Sequence, residues 1–385
     1  MHKTCQRTVY KTLLLIMSLL HARERYTTRQ KSLLALVGLV IFIALWWAVA
    51  EFNAEMRPIV DIQTHLPSSI TDDTLAVNRD SIIRADSIKL ANATEFEKVY
   101  PLLPRPDHVV KSYGPLFGQD NLLADVWLSV WRNLQGYGWA VIISLLVGFP
   151  IGLIPALRAL FSKQVDALRY LPLTALTGLF IIWFGIGDTM KVAFLAFGIL
   201  VYLLPVVVQR IDEVDDVYLK TSFTLGATNW QMVRSVYLPA VLSKLMDDIR
   251  VLTAISWTYI IIAEMFNRSG GVGDLIFVKG RQGQIEKVFA VLLVIVLIGF
   301  LQDRLFVYID RRLFPYKHYK TVLPGLRETE YGVLAAVGAL AFYLLATAVW
   351  PGGAELLGQL LFIIFITATL MVLYGEFRFQ RAYVK

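Results

Sequence analysis

Apolar residues in this chain gather in long unbroken runs, separated by polar stretches that carry nearly all the charge. A helix needs roughly 20 mostly apolar residues to cross the hydrocarbon of a bilayer, about 30 Å thick. On that measure the pattern predicts eight spans, at about 33–49, 137–157, 171–184, 190–208, 251–266, 288–307, 331–350 and 356–373. The third is short and ends in a tight Gly185-Ile186-Gly187-Asp188 turn. Residues 122–133 read as an amphipathic lead-in helix to the second span, with Trp127 and Trp131 four positions apart. Gly148, Pro150 and Gly152 within that span predict close helix contact and a bend.

The polar stretch at about 209–250 is too hydrophilic to lie in lipid. It has a helical period of its own, in Val217, Phe223, Leu225, Met232, Val233, Val236 and Leu238. Gly226 divides it into two short helices, Asn229 is placed to cap the second, and Pro239 disfavours helical geometry at Leu238. Residues 51–121 form a second polar stretch, of mixed charge, expected to be partly ordered with short helices around 74–93. Near the start, an apolar run at 13–20 is too short to span and is followed by Arg23, Arg25, Arg29 and Lys31. It reads as a cytoplasmic stub rather than a signal peptide, with Met17 an alternative start.

Composition agrees with the pattern. The 385 residues are 56% hydrophobic and 17% charged, with a mean hydropathy of +0.58, which places the chain among polytopic membrane proteins. The net charge of +7 does not indicate nucleic acid, because most Lys and Arg lie beside apolar spans, where the positive-inside rule and anionic lipid account for them. That rule puts both termini in the cytoplasm and residues 51–121 outside. Arg268, Lys279, Arg281 and Lys287, in a segment expected outside, run against it. One cysteine, Cys5, excludes an intrachain disulfide.

Candidate chemistry is sparse. No phosphate-binding loop is present, and the Gly270, Gly271, Gly273 group has neither the lysine nor the strand-to-helix setting of one. The five histidines lack zinc-ligand spacing, and no nucleophilic triad is visible, so neither a catalytic nor a metal site is expected. Glu264 stands at the end of the fifth span, where a carboxylate must face protein, water or a cation. Trp257 and Thr258 lie about two turns further in, as pathway candidates or as packing. Asp247, Asp248 and Arg250, and Asp303 with Arg304, read as charge clusters at the cytoplasmic ends of spans.

Gly226, nine further residues and then Val236-Tyr237-Leu238-Pro239 resemble half of the EAA loop of permease subunits in binding-protein-dependent ABC importers. The resemblance is closest to the nitrate/sulfonate/taurine branch. It extends to LPRP at 103–106, WFGIG at 183–187, Ala263-Glu264-Met265 and the glycines at 270–273, and so covers about 100–316. Where the family carries Glu-Ala-Ala or Glu-Thr-Ala, this chain has Lys220-Thr221-Ser222, which puts the family's usual polar contact with its ATPase in doubt.

The resemblance implies an all-α polytopic membrane protein, with a six-helix importer permease core and two additional C-terminal transmembrane helices. It divides the chain into a stub at 1–31, a first transmembrane helix at 32–50, an external insertion at 51–121, the core at 122–316 and a C-terminal hairpin at 317–385. It further implies a transport subunit without cofactor or enzymatic activity, in the inner membrane, moving a small anion by alternating access. Its partners would be a separate ABC ATPase, an external solute-binding protein and a second permease, with a homodimer expected. Lys220, Thr221, Ser222, Gly226, Val236, Leu238 and Pro239 would form the ATPase-coupling loop, and Trp257, Thr258 and Glu264 a pathway or gate. The 51–121 insertion would either touch the binding protein or have no direct role. A membrane scaffold or sensor that has lost its ATPase is the alternative. A secondary transporter is disfavoured by the lack of repeat symmetry and of midplane charge.

Overall fold

The computed structural model describes residues 27–58, 96–266, 268–318 and 326–383. The 13–20 run, the alternative start and the short helices expected near 74–93 lie outside these residues. The chain divides into two units, one ending at Val109 and the other beginning at Val110.

In the first unit, helix α1 (Thr28–Phe52) starts at a capping box, in which Thr27 and Gln30 satisfy each other's exposed backbone N–H groups. Strands β1 (Glu55–Pro58) and β2 (Phe96–Val99) pair antiparallel, with Glu55 opposite Val99. This ribbon is the departure from an all-helical chain among the described residues. It is held to α1 by Glu51, which pairs with Lys98 and accepts from Tyr100 Oη at 3.1 Å. Trp46 Nε1 donates to Pro104 O at 3.0 Å, and the Arg105 guanidinium lies 4.3 Å from the Trp47 ring centre. Trp46 and Trp47, near the end of α1, thus hold the LPRP segment.

Helix α2 (Pro106–Gly118) leads into α3 (Leu122–Leu153), a single helix of 32 residues. The expected lead-in and second span are therefore one element. Its small residues lie against α6 (Asp188–Asp212): a Cβ at Gly136 would come within 2.6 Å of Leu195, one at Gly148 within 2.7 Å of Val207, and one at Gly152 within 2.5 Å of Ile211. A glycine stripe lets two helices approach until dispersion contacts form along their whole length, which is how helices associate where lipid removes the hydrophobic drive.

The third expected span takes a different form. Most residues between the second and third expected spans belong to helix α4 (Pro155–Leu168), with proline at its first turn. Pro172 then keeps the chain from continuing as helix. After a 3₁₀ turn at Leu173–Leu176, α5 (Thr177–Phe184) runs off at 91° to α4. The turn and α5 together rise only about 20 Å, too little to cross hydrocarbon alone. Seven described helices are long and apolar enough to span, or eight if the bent pair counts as one.

Beyond α6 come α7 (Asp216–Thr224), α8 (Asn229–Met232), α9 (Leu238–Phe266), α10 (Val272–Arg281), α11 (Ile285–Leu313) and α12 (Pro315–His318). The stretch expected as an external loop is largely α10. Its basic residues have local partners: Lys279 and Lys287 pair with Asp120 at 2.6 and 2.7 Å, and Arg268 lies 3.5 Å from Asp274. That pairing eases the conflict with the positive-inside rule.

Helices α13 (Leu326–Val349) and α14 (Ala354–Tyr383) form the C-terminal hairpin, turning at Pro351–Gly353. Its helices pack closely because a Cβ at Gly332 would meet Val372 at 2.8 Å. It docks on the core at two places. Leu344 is buried against Gly138 of α3, where a Cβ would come within 2.5 Å of it. Glu376 accepts from Tyr308 Oη at 2.7 Å and from Arg312 Nη2 at 2.5 Å.

Candidate functional site

Asp125, Ser129, Arg132, Asn133 and Tyr137 recur at helical spacing along one face of α3. That polar face meets α9, and at one end it closes around Glu264, whose side chain is fully buried. Ser129 Oγ lies 2.7 and 2.8 Å from the two carboxylate oxygens, Arg132 Nη1 donates at 2.9 Å, and the backbone N–H of Gly273 donates at 2.9 Å. Arg132 donates on from Nη1 to Gly270 O (2.8 Å), and from Nη2 to Asp188 Oδ1 (2.6 Å) and Ser269 O (3.1 Å). Lys191 of α6, also fully buried, donates to Ser269 Oγ at 2.8 Å. Asp125 accepts from Gly271 N at 2.8 Å, and Ser129 Oγ accepts from Val272 N at 2.9 Å.

The glycines are needed for this closure. Gly271 has φ +104°, and a Cβ there would lie 2.3 Å from Glu264 Oε1; one on Gly273 would lie 2.6 Å from Ile261 O. The Ala263-Glu264-Met265 segment and the Gly270–273 segment, separate motifs in the sequence, are two halves of one charge cluster. The cluster pairs buried Arg132 with buried Glu264 and carries it on to Asp188, whose side chain is 58% exposed. It ties α3, α6, α9 and the start of α10 together at one end of the bundle. Deeper in, Asn133 Nδ2 donates to Ser256 Oγ (3.0 Å) and Tyr137 Oη to Ile249 O (2.6 Å).

The three residues expected at a pathway or gate do not converge. Glu264 is in the cluster, and its full burial excludes the reading of a carboxylate in interfacial water. Trp257 is buried and donates from Nε1 to Gln302 Oε1 of α11 at 2.9 Å. Thr258 is exposed. Sequence reasoning passed over Ser129, Arg132, Asp188 and Lys191; the signal available was the polar stripe on α3 running on past Arg132 into an apolar span.

At the opposite end of α9 lies the 209–250 segment. Asp215 caps α7 by accepting from Val217 N at 2.9 Å. Lys220 sits 3.6 Å from Asp216 on the exposed face, and Thr221 and Ser222 donate to carbonyls of their own helix, Val217 O and Tyr218 O. Gly226, at φ +76°, ends α7: its N–H donates to Phe223 O and that of Ala227 to Ser222 O, both at 3.0 Å. This is the left-handed glycine cap that closes a helix through its last carbonyls.

Two details differ from expectation. Thr228, not Asn229, caps α8, in a capping box with Gln231. Pro239 does not end the second helix. A π turn at Val233–Tyr237 lets Leu238 N–H reach back five residues to Val233 O, and the chain continues helically through Leu238 and Pro239. The wider turn absorbs the missing proline N–H, so Asn229 to Phe266 is one continuous helix of 38 residues.

Val217, Tyr218, Phe223, Leu225 and Trp230 on this segment are all at least 60% exposed. Charged pairs fasten its stem. Arg210 is bidentate to Asp248 (2.7 Å twice) and reaches Glu213 at 2.6 Å, Arg250 meets Asp303 at 2.9 Å, and Lys317 meets Asp247 at 2.9 Å. Of the residues expected as clusters at these span ends, Asp247, Asp248, Arg250 and Asp303 therefore pair across α6, α9, α11 and α12. The Arg210 hydrogen bond, against some opposing burial, holds the Glu213 carboxyl below its usual range.

Residues 133–315 match the family model described as "Binding-protein-dependent transport system inner membrane component". The putative aliphatic sulfonates transport permease SsuC of Bacillus subtilis is 26% identical over 217 residues, 56% of this chain and 79% of that protein. The taurine transport permease TauC of Escherichia coli is 26% identical over 219 residues, 56% of this chain and 80% of its own length. Among solved structures, an inward-facing MetNI methionine ABC transporter chain aligns with 50% of this chain and 98% of its own at 22% identity and a TM-score of 0.45. The matched segment contains the glycine-capped 209–250 turn, Glu264 and the Gly270–273 segment, and over it this chain is similar to the inner-membrane components of binding-protein-dependent transport systems.

Proposed function

We propose that this protein is the permease subunit of an ATP-driven importer for a small anion such as a sulfonate, taurine, nitrate or bicarbonate, and that a separate ATPase drives it through the 209–250 segment. One observation carries the reading. A solvent-facing apolar surface on α7 and α8 is joined, across the Gly226 turn, to a 38-residue helix about 57 Å long that ends in the Glu264 cluster. A rigid rod with an exposed apolar handle at one end suits a subunit that receives force from a partner and passes it across the membrane.

Small anions come into the reading from the names of the sulfonate and taurine relatives. In this account the chain sits in the inner membrane with both termini cytoplasmic, pairs with a second permease and receives solute from an external binding protein. Lys220 departs from the acid of the family, and its exposed pair with Asp216 leaves α7 intact. Docking then rests on the apolar handle.

Affinity purification of the full chain from its native membrane in mild detergent tests this. Recovery of an ABC ATPase with the wild type, and its loss with Leu225→Glu, is the expected result. Absence of any ATPase across several gentle detergents would favour a scaffold or sensor that has kept the permease fold.

A further inference from the structure

The junction between α11 and the C-terminal hairpin is edged by arginines set one turn beyond an aromatic residue. Arg304 lies over Phe300 (4.9 Å to the ring centre), Arg312 over Tyr308 (5.5 Å), Arg378 over Tyr374 (6.0 Å) and Arg381 over Phe377 (4.2 Å). Two of the four are committed within the protein: Arg312 to Glu376 and Arg378 to Glu328, both at 2.5 Å. Arg304 and Arg381 are exposed and have no acidic partner among the described residues, and the same holds for Arg311, seven positions after Arg304 on the same face of α11. The aromatic residues beside them, Phe300, Tyr374 and Phe377, are each more than half exposed in an apolar setting suited to lipid.

The arginines gather at one end only. The α11 terminus, the α14 terminus and the start of α13 meet there, on the same side as the 209–250 segment, as the Arg250–Asp303 and Lys317–Asp247 pairs show. The other end of the hairpin, at 350–355, carries Glu355 and no basic residue. An arginine stacked face-on to a ring keeps its N–H edge free, and that edge matches two oxygens of one phosphate. Arg304 and Arg381 present two such edges and Arg311 adds a third exposed guanidinium; beside an apolar wall they are the complement of an anionic phospholipid: phosphate at the arginines, acyl chains along α11 and α14.

We infer that Arg304, Arg311 and Arg381 hold the headgroup of an anionic phospholipid against the seam between α11 and the C-terminal hairpin. The site does not depend on the transport reading. It gives the hairpin a role of its own, as the wall that completes a lipid site the core alone would leave open.

The test uses the full chain, purified in detergent and placed in nanodiscs of phosphatidylglycerol or of phosphatidylcholine, with retained lipid counted by native mass spectrometry. Wild type is expected to retain phosphatidylglycerol selectively. Retention should fall about fivefold for each arginine replaced in Arg304→Gln, Arg311→Gln and Arg381→Gln. The triple Arg-to-Lys variant should fall between wild type and the triple Gln variant, since it keeps charge but loses the fork. Arg381→Gln removes only a ring contact and keeps the fold, so a full loss of protein in the triple variant does not block the experiment. Equal retention by wild type, Arg381→Gln and the triple variants, or no preference for phosphatidylglycerol over phosphatidylcholine, would overturn the inference.

Discussion

Arg132 Nη1 lies 2.9 Å from Glu264 Oε1, with side-chain exposures of 2% and 0%. A buried pair of this kind adds little net stability, because desolvating both charges offsets their attraction. Removing one partner is different, since it strands the other charge. Arg132→Met is expected to cost about 3–5 kcal/mol, read as a lower melting temperature and poor recovery from detergent. Arg132→Lys is expected to fail as well, because a lysine ammonium cannot span Glu264, Asp188 and two carbonyls at once. A wild-type melting temperature for Arg132→Lys would mean that the fork geometry is unimportant.

Two left-handed glycines separate strain from space. Gly226 has φ +76° and open space within 4 Å of the point a Cβ would occupy, whereas Gly271 has φ +104° and Glu264 Oε1 at 2.3 Å. Gly226→Ala should therefore cost only backbone strain, about 1 kcal/mol, and Gly226→Asn less, as asparagine tolerates this region. Gly271→Ala adds a collision with a fully buried carboxylate and should be much the more damaging in a thermal melt. On the coupling reading, Gly226→Val inserts into the membrane normally but uncouples uptake from ATP hydrolysis. Normal uptake at normal expression would count against that reading.

The exposed handle gives a prediction in which stability and partner binding part company. Leu225 is 82% and Trp230 72% exposed, and neither supports the fold of this chain. Leu225→Glu and Trp230→Glu should shift stability by no more than about 0.5 kcal/mol, as surface changes do. Both should abolish co-purification of an ATPase. Retained ATPase with both variants would place docking elsewhere on the chain.

Much of this architecture is written in the order of apolar runs, since a helix in lipid must satisfy its backbone internally and so announces itself by length. The misread places are those where one local rule met a wider context. Pro239 looks like a stop, but a π turn one step earlier supplies the geometry it needs. Residues 171–184 look like a span, but Pro172 interrupts the helix there, and α5 beyond it is too short to cross. Glu264 is visible as a lone intramembrane carboxylate; Arg132 is not, because an arginine on the polar side of an amphipathic helix has the same pattern whether it faces water or a buried acid. Nor can spacing reveal that glycines 270–273 fold back on a residue of the preceding helix, as that contact depends on positive φ angles at Gly270 and Gly271.

Asp120 links the α2–α3 turn to α10 and α11 through Lys279 at 2.6 Å and Lys287 at 2.7 Å, with about one-eighth of its side chain exposed. Burial pushes its carboxyl up, but the hydrogen bonds from the two lysines outweigh that and hold it below the usual carboxylate range. A carboxyl with a lower pKa folded than unfolded stabilises the fold at pH values above its unfolded pKa, about 3.9. The contribution is lost as pH falls through the folded value. Asp120→Asn should therefore cost about 1–3 kcal/mol at neutral pH, where it removes the charge and one of the two oxygens that accept from Lys279 and Lys287. The gap between wild type and variant should narrow below about pH 4, where the wild-type carboxyl takes up its proton. Melting curves of both proteins in the same detergent from pH 7 to pH 3 measure this directly. A gap that stays constant across that range would mean the Asp120 charge contributes nothing, and that Lys279 and Lys287 are held by other means.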